Sequence, residues 1–166
     1  EIVMDADRDK MEKLLVNLFS NAIKYTNPGG RIEIILKRGH LSEITPLYGH
    51  QYAEGSIDDS REACILIVRD TGVGISPESI RQIYERFFQV QSKTSMHLGT
   101  GIGLAIVKSI VLLHQGVIIV SSERMVGTEF IVALPISKEC RVTKEVPVSL
   151  FDMDKFLEKH YSEYVP

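Results

Sequence analysis

The stretch GTGIGLAIVK, Gly99–Lys108, alternates three glycines with Thr100 and Ile102 and then turns into an apolar run. Glycines at the start of a helix let a phosphate group approach the backbone N–H groups. The spacing differs from the Gly-x-Gly-x-x-Gly of dinucleotide-binding folds, and the Gly-Lys-Ser/Thr of the P-loop is absent. The stretch therefore predicts either the phosphate loop of another ATPase class or a glycine-rich turn before a buried helix.

A second glycine pair lies in the sequence DTGVG, which begins at Asp70 directly after a predicted strand. A carboxylate at this position can accept a hydrogen bond from an exocyclic amine such as that of adenine. Gly72 and Gly74 would let a flat ring lie close to the backbone. The alternative is an ordinary turn in which the Asp70 side chain bonds its own backbone.

Asn17 and Asn21 are four residues apart on a predicted helix and therefore lie on one face, together with Lys13 and Lys24. Amide oxygens at the rim of a cavity suit Mg²⁺, a hard cation that is often shared with substrate phosphates. Lysine there can neutralise phosphate charge. The alternative is a solvated polar face, but the three elements together indicate a nucleotide site.

The apolar periodicity predicts a mixture of helices and strands without strict β-α-β alternation, which favours an α+β fold. Residues 39–62 are polar and predict a long loop or insertion. The predicted helices are Asp9–Tyr25, one starting at Ser76, and Gly103–His114 with Gly116 as a left-handed cap; the predicted strands are Glu1–Asp5 (the end of a strand), Arg31–Lys37, Cys64–Arg69, and the hairpin Val117–Ser121 with Thr128–Leu134.

Composition narrows the class of protein. The 166 residues are 44% hydrophobic and 25% charged, as expected of one soluble globular domain. A formal charge of −3 without a basic run argues against nucleic-acid binding. Cys64 and Cys140 have no metal-ligand spacing, so we expect reduced thiols and a cytoplasmic location. No run of 18 apolar residues exists, so we expect no direct membrane contact from this segment.

The ordered motifs resemble the ATP-binding catalytic domain of sensor histidine kinases, of the Bergerat (gyrase-like) ATPase class. The motifs, in order, are LLVNLFSNAIKYT (Leu14–Thr26), DTGVGI (Asp70–Ile75), ERFFQV (Glu85–Val90), GTGIGLAIVK (Gly99–Lys108) and the closing hairpin (His114–Pro135). The resemblance implies a two-layer α/β sandwich with a mixed, mostly antiparallel sheet and helices packed on one face. It implies a catalytic domain over residues 1–136, followed by a tail or linker at 137–166.

The resemblance also assigns roles to residues. Asn21 with Asn17 would hold Mg²⁺, Lys24 would contact phosphate, and these three would be the catalytic residues. The implied ATP-binding residues are Tyr25, Asp70, Gly72, Gly74, Ile75, Leu98, Gly99, Thr100, Gly101, Ile102, Gly103, Leu104 and Thr128. Among them Asp70 would accept from the adenine amine with Thr128 in support, and residues 89–98 would form the ATP lid.

The family's phosphoacceptor is a histidine on a separate dimerisation domain, and no histidine here has that sequence context. The histidines are His40, His50, His97, His114 and His160. The resemblance therefore implies two partners: a histidine-bearing dimerisation domain of the same kinase and the receiver domain of a response regulator. A serine/threonine kinase of the same fold, and a degenerate nucleotide-binding sensor or scaffold, stay open as alternatives.

Overall fold

The computed structural model describes residues 6–89 and 100–136, which form one layer of helices on one layer of sheet. The five strands lie in the order β1-β3-β5-β4-β2. The elements are α1 (Arg8–Tyr25), β1 (Ile32–Gly39), β2 (His50–Gly55), β3 (Ala63–Asp70), α2 (Gly103–Leu113), β4 (Val117–Glu123) and β5 (Gly127–Pro135). All four strand pairings are antiparallel, so within the described residues the sheet is wholly antiparallel rather than mixed.

Helix α1 forms where its apolar periodicity predicts. The Asp7 side chain caps its start by accepting a 3.1 Å hydrogen bond from the backbone N–H of Lys10. The helix buries one face, made of Leu14, Leu18, Phe19 and Ala22. Asn27-Pro28-Gly29 follows its last turn and prevents continuation.

Both helices pack on the same face of the sheet, as predicted. Because residues directly opposite each other on paired strands share a face, Val68, Phe130 and Val120 all point to the helices and are buried there. The opposite face carries a second, smaller apolar cluster around Ile67 and Ile131. This arrangement gives the sheet one helix-covered face and one face that a different element must cover.

The predicted long loop at 39–62 is wrong in part, because it contains strand β2 and a short 3-10 helix, Leu41–Glu43. β2 pairs with β4 through backbone hydrogen bonds, which its weakly apolar sequence HQYAEG does not announce. The rest of the segment lies over the opposite face, where Ile44 and Ile57 pack against the smaller cluster. This segment therefore extends the sheet and packs on its second face.

The predicted helix at Ser76 is also wrong, because successive turns replace it. The N–H groups of Ser79 and Ile80 both bond to the Ser76 carbonyl, and new turns then begin at Ser79 and Gln82. This pattern never becomes the continuous i to i−4 ladder of an α-helix. The segment still buries the apolar face expected of it, with Ile80, Ile83 and Tyr84 in the main core.

Helix α2 ends as predicted in position but with a different left-handed residue. Gln115, at a φ of 55°, takes the left-handed conformation. The N–H of Gln115 bonds to Leu112 O and that of Gly116 to Val111 O, the two bonds of a Schellman motif. Gly116 is required for space instead, since a Cβ there would lie 2.5 Å from the Ala133 carbonyl oxygen.

Several predictions fall beyond the described ranges: the strand end at Glu1–Asp5, most of the lid, and the tail at 137–166. The other predicted strands are confirmed to within two residues at each end, and so is the hairpin of β4 and β5. In the described part of the chain, no helix has both the length and the hydropathy needed to cross a membrane.

Candidate nucleotide-binding site

The predicted site residues that the structure describes lie at one end of the sheet, on its helix-covered side. Three segments meet there: the end of α1, the loop at residues 70–75 that follows β3, and the start of α2. The β4–β5 turn contacts the loop at residues 70–75, because Met125 N–H donates a 2.8 Å hydrogen bond to Val73 O. The convergence of these segments is a tertiary feature, since Gly103 at the start of α2 follows Asn17 by 86 residues in the sequence.

The Asp70 carboxylate is the buried charge of this site. The side chain ends β3 and the residue is 5% exposed. Its Oδ1 accepts a 2.8 Å hydrogen bond from Gly72 N–H, and the Thr128 backbone also hydrogen-bonds the carboxylate. Burial raises the pKa of Asp70 to about 6, against the lowering effect of these two bonds. Asp70 forms no ion pair with any described residue, so its charge is held by backbone dipoles alone.

The loop at 70–75 is fastened to the end of α1 by backbone contact. Val73 N–H donates to the Tyr25 carbonyl at 3.1 Å. A Cβ on Gly72 would lie 2.1 Å from that same oxygen, so only glycine fits. Gly74 has a φ of 65°, and a Cβ there would lie 2.1 Å from Glu123 O. The glycine pair therefore serves close packing of the loop between α1 and the β4–β5 hairpin.

Ser122 is a residue of the site that sequence reasoning missed. It is fully buried, accepts from Ile75 N–H at 2.8 Å, donates to Gly127 O at 2.7 Å, and lies 3.0 Å from the Thr128 hydroxyl. The Thr128 side chain thus bonds Ser122, while the Thr128 backbone bonds Asp70. The available signal was a polar Ser-Ser pair at the end of the apolar run VIIV.

The predicted phosphate and metal side of the site lies between α1 and the start of α2. Asn17 donates its amide N–H to Lys13 O at 2.7 Å, and its oxygen is still able to accept. That oxygen faces Gly103, where a Cβ would lie only 2.4 Å away. Asn21 lies one turn further along the same face of α1. The exposed Lys24 ammonium sits 4.8 Å from the centre of the Tyr25 ring.

Helix α2 starts without a side-chain cap. Ile102 is its N-cap residue and makes no side-chain hydrogen bond there, so the first N–H groups are not capped by a side chain. Gly101, at a φ of 67°, packs against the backbone of Phe87, whose N–H donates to Gly101 O at 2.8 Å. Thr100 is exposed and Leu104 packs against the main core. Leu98 and Gly99 lie outside the described residues.

The donor set suits Mg²⁺ shared with phosphates better than a metal caged by protein alone. Within residues 6–89 and 100–136, no group of three or more His, Cys, Asp or Glu side chains is arranged to hold a metal. The amide oxygens of Asn17 and Asn21 are hard ligands of the kind Mg²⁺ takes when phosphates and waters complete its shell. The residues present therefore fit such an ion.

The Phe87 contact is the second feature that the sequence did not reveal. The ERFF motif is part of the family resemblance, but its residues do not predict a backbone hydrogen bond to the second glycine motif. Phe87 itself has a φ of 66° and a side chain that is 72% exposed. The ERFF motif and the second glycine motif, which lie on either side of the predicted lid at residues 89–98, are therefore in contact with each other.

Comparison with known proteins places the chain. The family model described as histidine kinase-, DNA gyrase B- and HSP90-like ATPase matches residues 6–138. Sensor protein SrrB of Staphylococcus aureus (strain NCTC 8325 / PS 47) is 37% identical over 134 residues, which cover 80% of this chain and 19% of SrrB. SrrB of strain MRSA252 is 38% identical over 130 residues, covering 78% of this chain and 19% of that protein. The chain thus spans about a fifth of the length of these relatives.

Solved structures give the same placement, and each alignment below covers 80% of this chain. The mycobacterial sensor histidine kinase MprB superposes with a TM-score of 0.60 at 31% identity, covering 76% of the MprB chain. The nucleotide-free catalytic domain of histidine kinase ThkA gives 0.56 at 25% identity, covering 71% of that chain. Full-length ShkA in complex with AMPPNP gives 0.53 at 26% identity, covering 22% of that chain. By family model, relatives and fold, the chain belongs to the histidine kinase-, DNA gyrase B- and HSP90-like ATPases, as a catalytic ATP-binding domain of the sensor histidine kinase type.

Proposed function

We propose that this chain binds Mg·ATP and transfers the γ-phosphoryl group to a histidine on a separate dimerisation domain of a two-component sensor kinase. The observation that carries the proposal is the buried Asp70 carboxylate, which has no cationic partner in the described chain and is held by two backbone groups. A buried charge without a counterion is costly unless a ligand completes its hydrogen bonding. The amino group of adenine would supply that bond.

The base-binding half of the site would form around Asp70. Gly72 keeps the loop backbone close to α1 and Gly74 keeps it close to the β4–β5 hairpin, so that the ring could lie against Tyr25 and Ile75. The backbone of Thr128 would hold the Asp70 carboxylate in place, as it does here.

The phosphate half would form between α1 and α2. The amide oxygen of Asn17, with that of Asn21, would hold Mg²⁺, which neutralises phosphate charge when it is bound. Lys24 would add a positive charge, and the N–H groups around Gly101 and Gly103 would face phosphate oxygens at the positive end of α2. Leu98, Gly99, Thr100, Ile102 and Leu104 complete the proposed nucleotide-binding set.

Phosphoryl transfer would then depend on positioning and charge neutralisation by this chain. An imidazole nitrogen of the acceptor histidine attacks the γ-phosphorus, the bond to the β–γ bridging oxygen breaks, and ADP leaves with those electrons. The imidazole loses its proton to solvent. No covalent work by a residue of this chain is needed.

The acceptor histidine would come from another domain. Among the described histidines, the His40 ring lies 3.0 Å from Asp59 O and the His114 ring 2.8 Å from Ile110 O, so both are engaged with backbone. The similarity to sensor proteins supports a dimerisation domain as phosphoacceptor and a response-regulator receiver domain as the next acceptor. The chain's share of those relatives, 19%, leaves room for such domains elsewhere in a longer protein.

The decisive experiment mixes the chain with γ-labelled ATP and a histidine-bearing dimerisation domain in trans. We expect acid-labile, base-stable label on that partner, as phosphohistidine gives. Acid-stable label on serine or threonine would instead identify the serine/threonine kinase alternative. No label at all, with ATP binding intact, would identify a nucleotide sensor.

A second experiment tests the metal role. Asn21→Ala should abolish the Mg²⁺-dependent part of ATP affinity, because it removes an amide oxygen from the proposed ion. Asn27→Ala is the matched control, since Asn27 is an exposed asparagine in the turn after α1. Full Mg²⁺-dependent binding by Asn21→Ala in titration calorimetry would refute this role.

A further inference from the structure

The face of the sheet opposite the helices carries a second polar row, directly behind the nucleotide site. Its members are Glu33, Arg69, Glu129 and Ser121, which are neighbours across four adjacent strands. Each lies next in sequence to the residue at the corresponding strand position on the helix-covered face, so Asp70 backs onto Arg69 and Thr128 onto Glu129. Asp70 and Thr128 on the helix-covered face are therefore joined by single peptide bonds to Arg69 and Glu129 of this back row.

The segment at residues 39–62 is anchored on this back row at residues 47–48. Leu47 N–H donates to Glu129 Oε1 at 2.8 Å. Tyr48 N–H donates to Ser121 Oγ at 2.7 Å, and the same hydroxyl lies 3.1 Å from Tyr48 O. Glu129 and Ser121 are both fully buried. Two buried side chains thus fix the backbone of a segment for which the sequence predicts a loop.

From this anchor the Tyr48 side chain reaches the end of β3. Its hydroxyl lies 3.4 Å from the Asp70 carbonyl oxygen, a long hydrogen bond. A Cβ on Gly127 would lie 2.5 Å from that hydroxyl and 2.1 Å from Asp70 O, so these three groups are in tight mutual contact. Gly127 precedes Thr128, whose backbone bonds the Asp70 carboxylate. Tyr48 therefore contacts β3 and β5, the two strands that position the Asp70 carboxylate.

We propose that Tyr48 is a positioning residue for the Asp70 carboxylate, and that the segment at residues 39–62 thereby sets how strongly the site prefers adenine. This inference rests on the proposed function, in which Asp70 accepts from the adenine amine. Tyr48 touches no nucleotide; it acts by holding the β3–β5 junction from the back face. Loosening it lets the carboxylate turn away from the amine without altering the phosphate half of the site.

The test compares two nucleotides on the same protein: ATP, and purine riboside triphosphate, which lacks the exocyclic amine. Tyr48→Phe should weaken ATP binding about 3- to 10-fold in titration calorimetry, as expected for one hydrogen bond. It should leave the affinity for the amine-free analogue unchanged, so the preference for ATP falls by the same factor. A merely structural role would weaken both nucleotides equally or lower only the melting temperature.

Tyr52→Phe is the matched control. Tyr52 lies on β2, and its hydroxyl donates to Glu54 at 2.8 Å, on the helix-covered face. This variant loses one tyrosine hydroxyl bond but should keep the preference for ATP. Ser121→Ala, which releases Tyr48 from its anchor, should lower the preference in the same direction as Tyr48→Phe. The double variant should lose no more than the larger single variant, because both act through one contact.

The outcomes separate this inference from the function it rests on. A wild-type protein that binds both nucleotides equally overturns the adenine role of Asp70 and the positioning role with it. A wild-type preference for ATP that Tyr48→Phe retains overturns the positioning role alone. An equal loss for both nucleotides in Tyr48→Phe does the same.

Discussion

The two polar rows at this end of the sheet bury carboxylates in opposite ways. On the helix-covered face, Asp70 has backbone donors and no cation in the described chain, and burial raises its pKa to about 6. On the back face, Glu129 is fully buried but bonds Arg69 Nε at 2.5 Å and Leu47 N–H at 2.8 Å. Hydrogen bonding to Glu129 raises the pKa of Arg69 in return.

This difference distinguishes a carboxylate that can bind a ligand from one that stabilises the fold. A paired charge has its hydrogen bonding satisfied within the fold, so it stabilises one arrangement and offers nothing to a ligand. A buried carboxylate without a cationic partner can accept a hydrogen bond from a ligand, but its burial lowers the stability of the fold. Removing each charge should therefore affect different measurements.

The largest effect should be on the free energy of unfolding, when Arg69 is removed from its ion pair with Glu129. Arg69→Leu leaves Glu129 buried without its cation, and we expect a loss of about 3 kcal/mol in the free energy of unfolding. Urea denaturation measures it. Lys37→Leu, an exposed cation on β1, is the control and should cost far less. A loss under about 1 kcal/mol for Arg69→Leu would contradict the claim that this pair is structural.

The next largest effect should be on binding rather than folding. Asp70→Asn should weaken ATP binding about 10- to 100-fold, because a charged acceptor for the amine is lost. The melting temperature should not fall, since the substitution removes an uncompensated buried charge. Calorimetric titration and a thermal melt on one sample test both halves. Unchanged affinity would refute the adenine assignment, and a strongly lowered melting temperature would refute the contrast between the rows.

The pH dependence of Asp70 should have opposite signs for stability and for binding. Because its folded pKa is raised from 3.8 to about 6, the folded state binds the extra proton between these values. The stability contributed by this group is therefore lost as pH rises from about 4 to about 6. ATP affinity should rise over the same interval, because the ionised form accepts from the amine. Nucleotide titrations and urea unfolding at pH 5 and 7 measure these trends, and Asp70→Asn should flatten both.

The smallest effect concerns a buried polar group that serves neither row. The Tyr84 hydroxyl is buried and has no hydrogen-bond partner among the described residues. Tyr84→Phe should leave the free energy of unfolding unchanged or raise it by up to about 1 kcal/mol. Tyr52→Phe, which removes a bonded hydroxyl, should instead lower it by about 1 kcal/mol. Destabilisation of Tyr84→Phe beyond that of Tyr52→Phe would reveal a hidden partner.

The sequence predicted α1, the central strands and the hairpin because each has strong local periodicity. It failed at Ser76, where a good capping residue and a first-turn proline start turns that do not propagate into a helix. It failed again at β2, whose pairing with β4 depends on backbone groups and not on an apolar pattern. For the site, residues in short motifs such as Asp70 and Gly72 were predicted, while Ser122 was not, because it is linked to the loop at 70–75 by a hydrogen bond from Ile75, 47 residues away in sequence.

By itself, the sequence determined which chemical groups are present, namely the amides of α1, the Asp70 carboxylate and the glycines, because their spacing is local and their types suit a nucleotide. Only the tertiary structure decided which buried carboxylate is free and which is paired, since that depends on strands that are adjacent in space. It also formed strand β2 within residues 39–62 and placed Leu47 and Tyr48 against the back face of the sheet, where they bond Glu129 and Ser121. Charges on opposite faces of a strand are neighbours in sequence, but what compensates each one is set by packing.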